Sequence, residues 1–143
     1  MKNITTALFA LGLLTASNSP ALADDAELVL TVSSITNHQG TLMVAVFDSE
    51  EAWNGGAPVA GARIDVNTDT ASASLGTLPL GDYAIRLFHD VNGNGELDTN
   101  LMGIPSEPFA FSNNARGSFG PASWTDAVFE LTTDSAAHTV RLD

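Results

Sequence analysis

The 143-residue chain carries 17 acidic residues against 5 lysines and arginines, has no cysteine, and has a formal net charge of −12. This composition excludes disulfide scaffolding, thiolate catalysis and thiolate metal ligation. A field of this sign also disfavours nucleic acid and anionic lipid, and it attracts cations.

Lys2, the apolar run from Ile4 to Leu14 and the small residues Ala21-Leu22-Ala23 have the three-part order of a secretory signal peptide, and the apolar part is too short to span a bilayer. Residues 1–23 are therefore predicted to be a cleaved signal, leaving 143 − 23 = 120 residues in one domain, residues 24–143. That length supports a core without disulfides. Loss of Lys2 makes the mature charge 4 − 17 = −13. No cysteine follows the signal to carry a lipid anchor, and no second apolar segment is long enough for a membrane helix, so the mature protein is expected in a periplasm or outside the cell.

Glu27 to Ile35 alternates with period two and reads as a strand, Asn37 to Gly40 as a turn, and Thr41 to Phe47 as a strand apolar on both parities. The two strands are predicted to pair as a hairpin. Asp48 to Trp53 reads as a short capped helical turn ended by Asn54-Gly55-Gly56. Ala62 to Val66 and Ala71 to Leu75 are weaker strands whose small side chains suit an edge or a closely approached surface. Pro79 and Gly81 set a tight turn before the strand Ala84 to His89, and Tyr83 at its start matches the position of a tyrosine corner.

From Leu101 to Ser123 the periodicity is lost among Pro105, Pro108, Gly117, Gly120 and Pro121, while Phe109, Phe111 and Phe119 are expected to anchor this long loop to a core. Trp124 to Leu131 and His138 to Leu142 are predicted as closing strands around Thr132 to Ser135. About seven short strands with little helix predict an all-β fold, a single antiparallel β-sandwich with a long irregular loop, with a small β-barrel as the alternative.

Between the strand ending at His89 and the irregular stretch lies Asp90-Val-Asn-Gly-Asn-Gly-Glu-Leu-Asp98. It places oxygen-bearing side chains Asp90, Asn92, Asn94 and Asp98 at loop positions one, three, five and nine, Gly95 at six, and Glu96 where a backbone carbonyl usually ligates. Hard cations such as calcium take such oxygen sets, whereas magnesium keeps its waters and demands a stricter octahedron. An EF-hand would need a glutamate at position twelve, where Leu101 stands, and would follow a helix rather than a strand. With two carboxylates in the set, calcium affinity is expected in the regime of about 10⁻⁴–10⁻³ M, as a staple rather than a catalyst. The alternative is an Asn-Gly-rich turn without metal.

His38, His89 and His138 have no zinc-ligand spacing, although His89 and Met102 flank the acidic loop and define an alternative soft-metal site. There is no G-x-S-x-G, Walker loop or dinucleotide fingerprint, so a non-catalytic role is favoured over an enzyme.

The runs L-P-x-G-x-Y-A, F-H-D-x-N-x-N-G-x-L-D, G-I-P-x-E-P, F-S-N-N-A-R-G and F-G-P-x-S-W-x-D-A-x-F, with Gly40 to Asp48, resemble the bacterial exported family known as domain of unknown function 2141. The resemblance implies a prealbumin-like or immunoglobulin-like sandwich and no established activity. Ala110, Ala122 and Trp124 stand where that pattern expects glycine, proline and phenylalanine, and Ser112 to Arg116 matches it as a candidate binding surface or a cover over the metal loop. Glu107, Asn113, Asn114 and Arg116 are polar groups among aromatics and need partners. Glu107 or an asparagine carbonyl is the candidate to complete a calcium shell.

The expected function is an exported, calcium-stabilised binding or accessory module for an unidentified protein or glycan. One alternative is an enzyme or carbohydrate-binding protein with a site between the 90–98 and 107–116 loops, beside Trp53 or Trp124. The other is a periplasmic transition-metal-binding protein using His89.

Overall fold

The structure, a computed structural model, describes residues 24–142, and the predicted signal segment lies outside the described residues. Strand β1 (Asp25–Ser33) alternates outward and inward positions, sending Leu28, Leu30 and Val32 into the interior. Strand β2 (Thr41–Phe47) does the same with Leu42, Val44 and Val46. Four further elements follow: α1 (Glu50–Trp53), β3 (Ala60–Asp65), β4 (Ala71–Pro79) and β5 (Gly81–Asp90). The remainder is β6 (Phe109–Phe111), α2 (Trp124–Ala127), β7 (Phe129–Leu131) and β8 (Ala137–Arg141).

These eight strands make two packed sheets, as expected of an all-β sandwich rather than a barrel. The smaller has the order β4-β1-β8, and the larger β3-β2-β5-β6 with β7 also on β5. Along one edge of β5, β7 pairs with Gly81 to Tyr83 and β6 with Arg86 to Phe88. Every strand pairing is antiparallel except β1 with β8, which is parallel.

The expected β1–β2 hairpin is not formed: the two strands lie in different sheets. The chain between them crosses over through Ser34 and Gly40, both at positive φ, with Ile35 buried and its N–H on the Asp69 carbonyl. The reason β2 is apolar on both parities follows from this placement. Its Leu42, Val44 and Val46 face the sandwich interior, while Phe47 enters a second cluster with Trp53, Ala84, Phe111, Ala122 and Ala127. β2 lies in the middle of its sheet, between β3 and β5, as β1 does between β4 and β8 in the other.

Three other expectations are corrected. The stretch from Leu101 to Ser123 contains β6 and a 3₁₀ turn over Ser112–Asn114. Trp124 to Leu131 is not one strand, because the Ser123 hydroxyl accepts the Asp126 N–H and caps α2 before β7 begins. Phe119 anchors nothing, being 106 % exposed, whereas Phe111 is buried. The tyrosine corner is present: Tyr83 donates its hydroxyl to the Pro79 carbonyl at 2.8 Å. Burial raises the Tyr83 pKa above the usual phenol value, and Asp48 and Asp25 add to the shift.

Candidate functional site

Strand β5 ends in two buried polar residues that leave the strand in opposite directions, His89 at 1 % and Asp90 at 2 % exposure. A buried carboxylate needs donors, and the following loop supplies them. Asp90 Oδ1 accepts the backbone N–H groups of Gly93 at 2.8 Å and Asn94 at 3.1 Å, and Oδ2 accepts that of Gly95 at 2.8 Å. Gly93 and Gly95, at φ 75° and 79°, permit the winding that turns these three N–H groups inward.

The next layer is built from the side chains above this ring. Asn92 Oδ1 accepts Asn94 N–H at 3.1 Å, and Asn94 Oδ1 accepts Glu96 N–H at 3.0 Å, the local bonding that asparagine favours in turns. The amide NH₂ groups of both asparagines then converge on Asp98, Asn92 on Oδ2 and Asn94 on Oδ1, the latter at 2.8 Å. Glu96 joins the loop through its backbone and is itself exposed.

Glu107, buried at 9 % exposure, closes the loop from outside. Its Oε1 accepts Val91 N–H at 3.0 Å and its Oε2 accepts Asp98 N–H at 3.1 Å, while Ser106 N–H donates to the Asp98 carbonyl at 2.8 Å. Beyond it, Asn100 Oδ1 accepts the N–H groups of Met102 and Ile104, holding a turn with Leu101, Met102 and Ile104 exposed.

Among the described residues no group of three or more histidine, cysteine and acidic side chains gathers in a metal-binding arrangement. The gathered heads here are two amide NH₂ groups that donate to the Asp98 carboxylate, above a second, buried carboxylate, Asp90.

The structure brings Asp90, Asn92, Asn94, Glu96, Asp98 and Glu107 together and separates them from Asn113, Asn114 and Arg116. Because β6 runs antiparallel to β5, the chain after Phe111 lies toward the start of β5, with the Ser112 hydroxyl accepting Ile85 N–H at 2.9 Å. Six residues of strand, roughly 20 Å, separate that end from Asp90. Asn113 and Asn114, at φ 59° and 51°, instead tie this turn to α2, to Val128 just after it, and to β8. Asn113 Nδ2 donates to the Asp126 and Val128 carbonyls, its N–H donates to His138 Nε2 at 3.2 Å, and Asn114 Oδ1 accepts Arg141 N–H at 2.8 Å. Arg116 and Arg141 thereby come to line one pocket with Phe109 and Phe111.

His89 Nε2 lies 2.6 Å from the Gln39 carbonyl, so its ring donates to backbone there, while Met102 is 83 % exposed on the turn beyond the loop. Trp53 is buried, with its indole N–H on the Ala122 carbonyl at 3.0 Å, and it packs edge-on to Phe47, Phe111 and Trp124. Arg86 covers it, its guanidinium carbon 4.4 Å from the Trp53 ring centre and its NH₂ on the Trp53 carbonyl. Burial lowers the Arg86 pKa. Both tryptophans therefore belong to packing around α1 and α2.

Sequence reasoning missed His138 and Arg141, which stand 25 and 27 positions beyond their partners Asn113 and Asn114 and have no local signal. His138 stacks on Phe129 at 4.0 Å between ring centres, and burial holds its pKa below the ordinary histidine value.

The family described as "Uncharacterized protein conserved in bacteria (DUF2141)" matches residues 30–139. Curated proteins and solved structures give no match to the chain.

Proposed function

This chain belongs to the bacterial DUF2141 family, and we propose that it is an exported, non-catalytic binding or accessory module whose Asp90–Asp98 loop is stapled by calcium. The observation that carries the reading is the convergence of Asn92, Asn94 and Asp98 over the buried Asp90 carboxylate. Two amide NH₂ groups supply to Asp98 the positive partial charge that a cation would supply. The carbonyl oxygens of both asparagines and Asp90 Oδ2 each accept one hydrogen bond and retain a lone pair, while Asp90 Oδ1 accepts two. A ligand set of amide oxygens and two carboxylates suits a hard cation of modest affinity.

In this role calcium neutralises two carboxylates packed into one loop and fixes the segment that Glu107 clamps to β5. The chemistry is structural: the loop's own side chains present no nucleophile beside a base. Thermal unfolding in calcium and in chelator tests the reading, since a ligand that binds only the folded state raises its stability. At a calcium concentration tenfold above Kd the gain is about 1.4 kcal/mol, or about 6 °C for a domain of this size. An unfolding temperature that stays the same at millimolar calcium overturns it.

A further inference from the structure

We infer that the cavity between the β1–β2 crossover, the end of β5 and the end of β8 binds a neutral polyhydroxylated ring, the chemistry of a monosaccharide, with His89 Nδ1 accepting one of its hydroxyls.

Strand β5 sends Tyr83, Ile85 and Leu87 into the main core, and His89 takes the next inward position of the same row, opposite Leu42 on β2. Packing alone asks for an apolar side chain there, yet the residue is a histidine at 1 % exposure. Its Nε2 is bound to the Gln39 carbonyl, so in the neutral ring Nε2 carries the proton and Nδ1 keeps a lone pair. No described residue donates to that lone pair. Among the described residues, Arg86 Nε is the one buried side-chain polar atom without a partner. His89 Nδ1 is therefore not sealed in protein, and it opens on the cavity of about 220 Å³ that the ring lines.

Ser34, Thr36, Pro108 and Leu142 complete the wall. Backbone contacts hold each segment in place. Ser34, at φ 64°, turns the chain out of β1, and the Ile35 N–H between the two hydroxyl residues is bound to the Asp69 carbonyl at 3.0 Å. Leu142 N–H donates to the Ser33 carbonyl at 2.9 Å, and His89 N–H to the Pro108 carbonyl at 2.8 Å. A wall fixed in this way is formed before a ligand arrives, so little ordering opposes binding.

The hydroxyls of Ser34 and Thr36 have no partner among the described residues. Two hydroxyls that donate or accept, with one imidazole nitrogen that accepts, suit a ligand carrying several hydroxyls. Pro108 and Leu142 offer apolar surface to the C–H face of a ring. No charged side chain lines the cavity, so a carboxylate, phosphate or ammonium would be desolvated there without a counter-charge. The acidity of the chain repels anions further. The volume lies below the range of about 300–1,000 Å³ that suits drug-sized ligands, which limits the occupant to a single ring.

The test is a titration of ¹⁵N-labelled protein, in chelator, with D-glucose, D-galactose and N-acetyl-D-glucosamine up to about 100 mM, and with cyclohexanol as a ring bearing one hydroxyl. Chelator keeps the outcome separate from that of the calcium reading. Saturable amide shifts at Ser34, Thr36, Gln39 and His89 are expected with at least one sugar, with weaker binding of cyclohexanol. The His89 Nδ1 resonance should move to lower frequency with the same saturation, as its lone pair accepts a hydrogen bond. Ser34→Gly removes a hydroxyl at a backbone conformation that glycine adopts freely, and Thr36→Val removes one at nearly constant shape. At least one of the two should weaken binding about fivefold, while Ser118→Ala, in the exposed loop after Arg116, should leave it unchanged. His89→Gln should abolish binding, and if that variant unfolds the two hydroxyl variants and the Nδ1 resonance decide. No saturable shift with any sugar, equal binding of cyclohexanol, a stationary Nδ1 resonance, or wild-type affinity in both hydroxyl variants overturns the inference.

Discussion

Glu107 accepts the backbone N–H of Asp98 on Oε2 while the carbonyl of Asp98 accepts Ser106 N–H, so the far end of the loop is bound on both sides by the segment it leads into. The other oxygen of Glu107 takes Val91 N–H at the near end. One buried carboxylate thus grips a nine-residue loop at both ends.

Glu107→Gln should therefore destabilise the protein more than a surface substitution would. Glutamine keeps one acceptor and turns an NH₂ toward the other N–H, so one donor loses its partner and faces a second donor. Hydrogen bonds to charged groups contribute about 1.5–3 kcal/mol, and a loss of about 2 kcal/mol is expected in urea unfolding. The calcium-dependent rise in unfolding temperature should shrink in the same variant, because the loop ends are no longer held. A wild-type midpoint in Glu107→Gln would show that the clamp does not contribute.

Gly40→Ala should fail more severely. Gly40 sits at φ 78°, and a Cβ there would lie 2.9 Å from the Val91 Cα and closer still to the Asp90 carbonyl oxygen. Both contacts are backbone, so no side chain can move aside, and left-handed strain adds to the overlap. A loss of at least about 3 kcal/mol is expected, read as a lowered urea midpoint or as loss of folded protein on expression. Gly93→Ala, which meets open space at a similar φ, should cost only the strain of its conformation, about 1 kcal/mol.

Tyr83→Phe isolates the tyrosine corner. The substitution removes the bond to the Pro79 carbonyl while keeping the buried ring, so about 1 kcal/mol of stability should be lost. Tyr83→Leu should cost clearly more, since it also leaves part of the ring's space in the main core unfilled. Equal midpoints for the phenylalanine variant and the wild type would assign the residue to packing alone.

What could be read in the sequence was local. The alternation in β1 and the apolar run of β5 mark strands because one or both faces are covered, and the Asp90 loop declares itself through oxygen-bearing residues at fixed spacing among glycines. The sheet assignment of β1 and β2 was hidden because period two says which face is buried and not which strand lies alongside. The run from Trp124 to Leu131 looked continuous because Ala127 and Leu131 are both buried, while the cap that starts a helix there is the single residue Ser123. Arg141 and His138 carry no signal of their own, since their roles come from the antiparallel return of β6 and the parallel docking of β8 on β1.

His138 makes stability fall on mild acidification. Its Nε2 accepts the Asn113 N–H, so the neutral tautomer with the proton on Nδ1 is the one that fits, and burial holds the folded pKa below the ordinary 6.5. The unfolded chain takes up this proton near pH 6.5, and the folded chain only at lower pH. Between those values the unfolded state binds more protons, so stability present above pH 6.5 is lost as pH falls, with a slope of at most one proton. His138→Gln keeps an acceptor for Asn113 and removes the titration. The difference between wild-type and variant urea midpoints should be constant above about pH 7 and should shift against the wild type on descent toward about pH 5. Parallel curves over that range would mean that protonating His138 leaves the Asn113 turn and the Phe129 stack undisturbed.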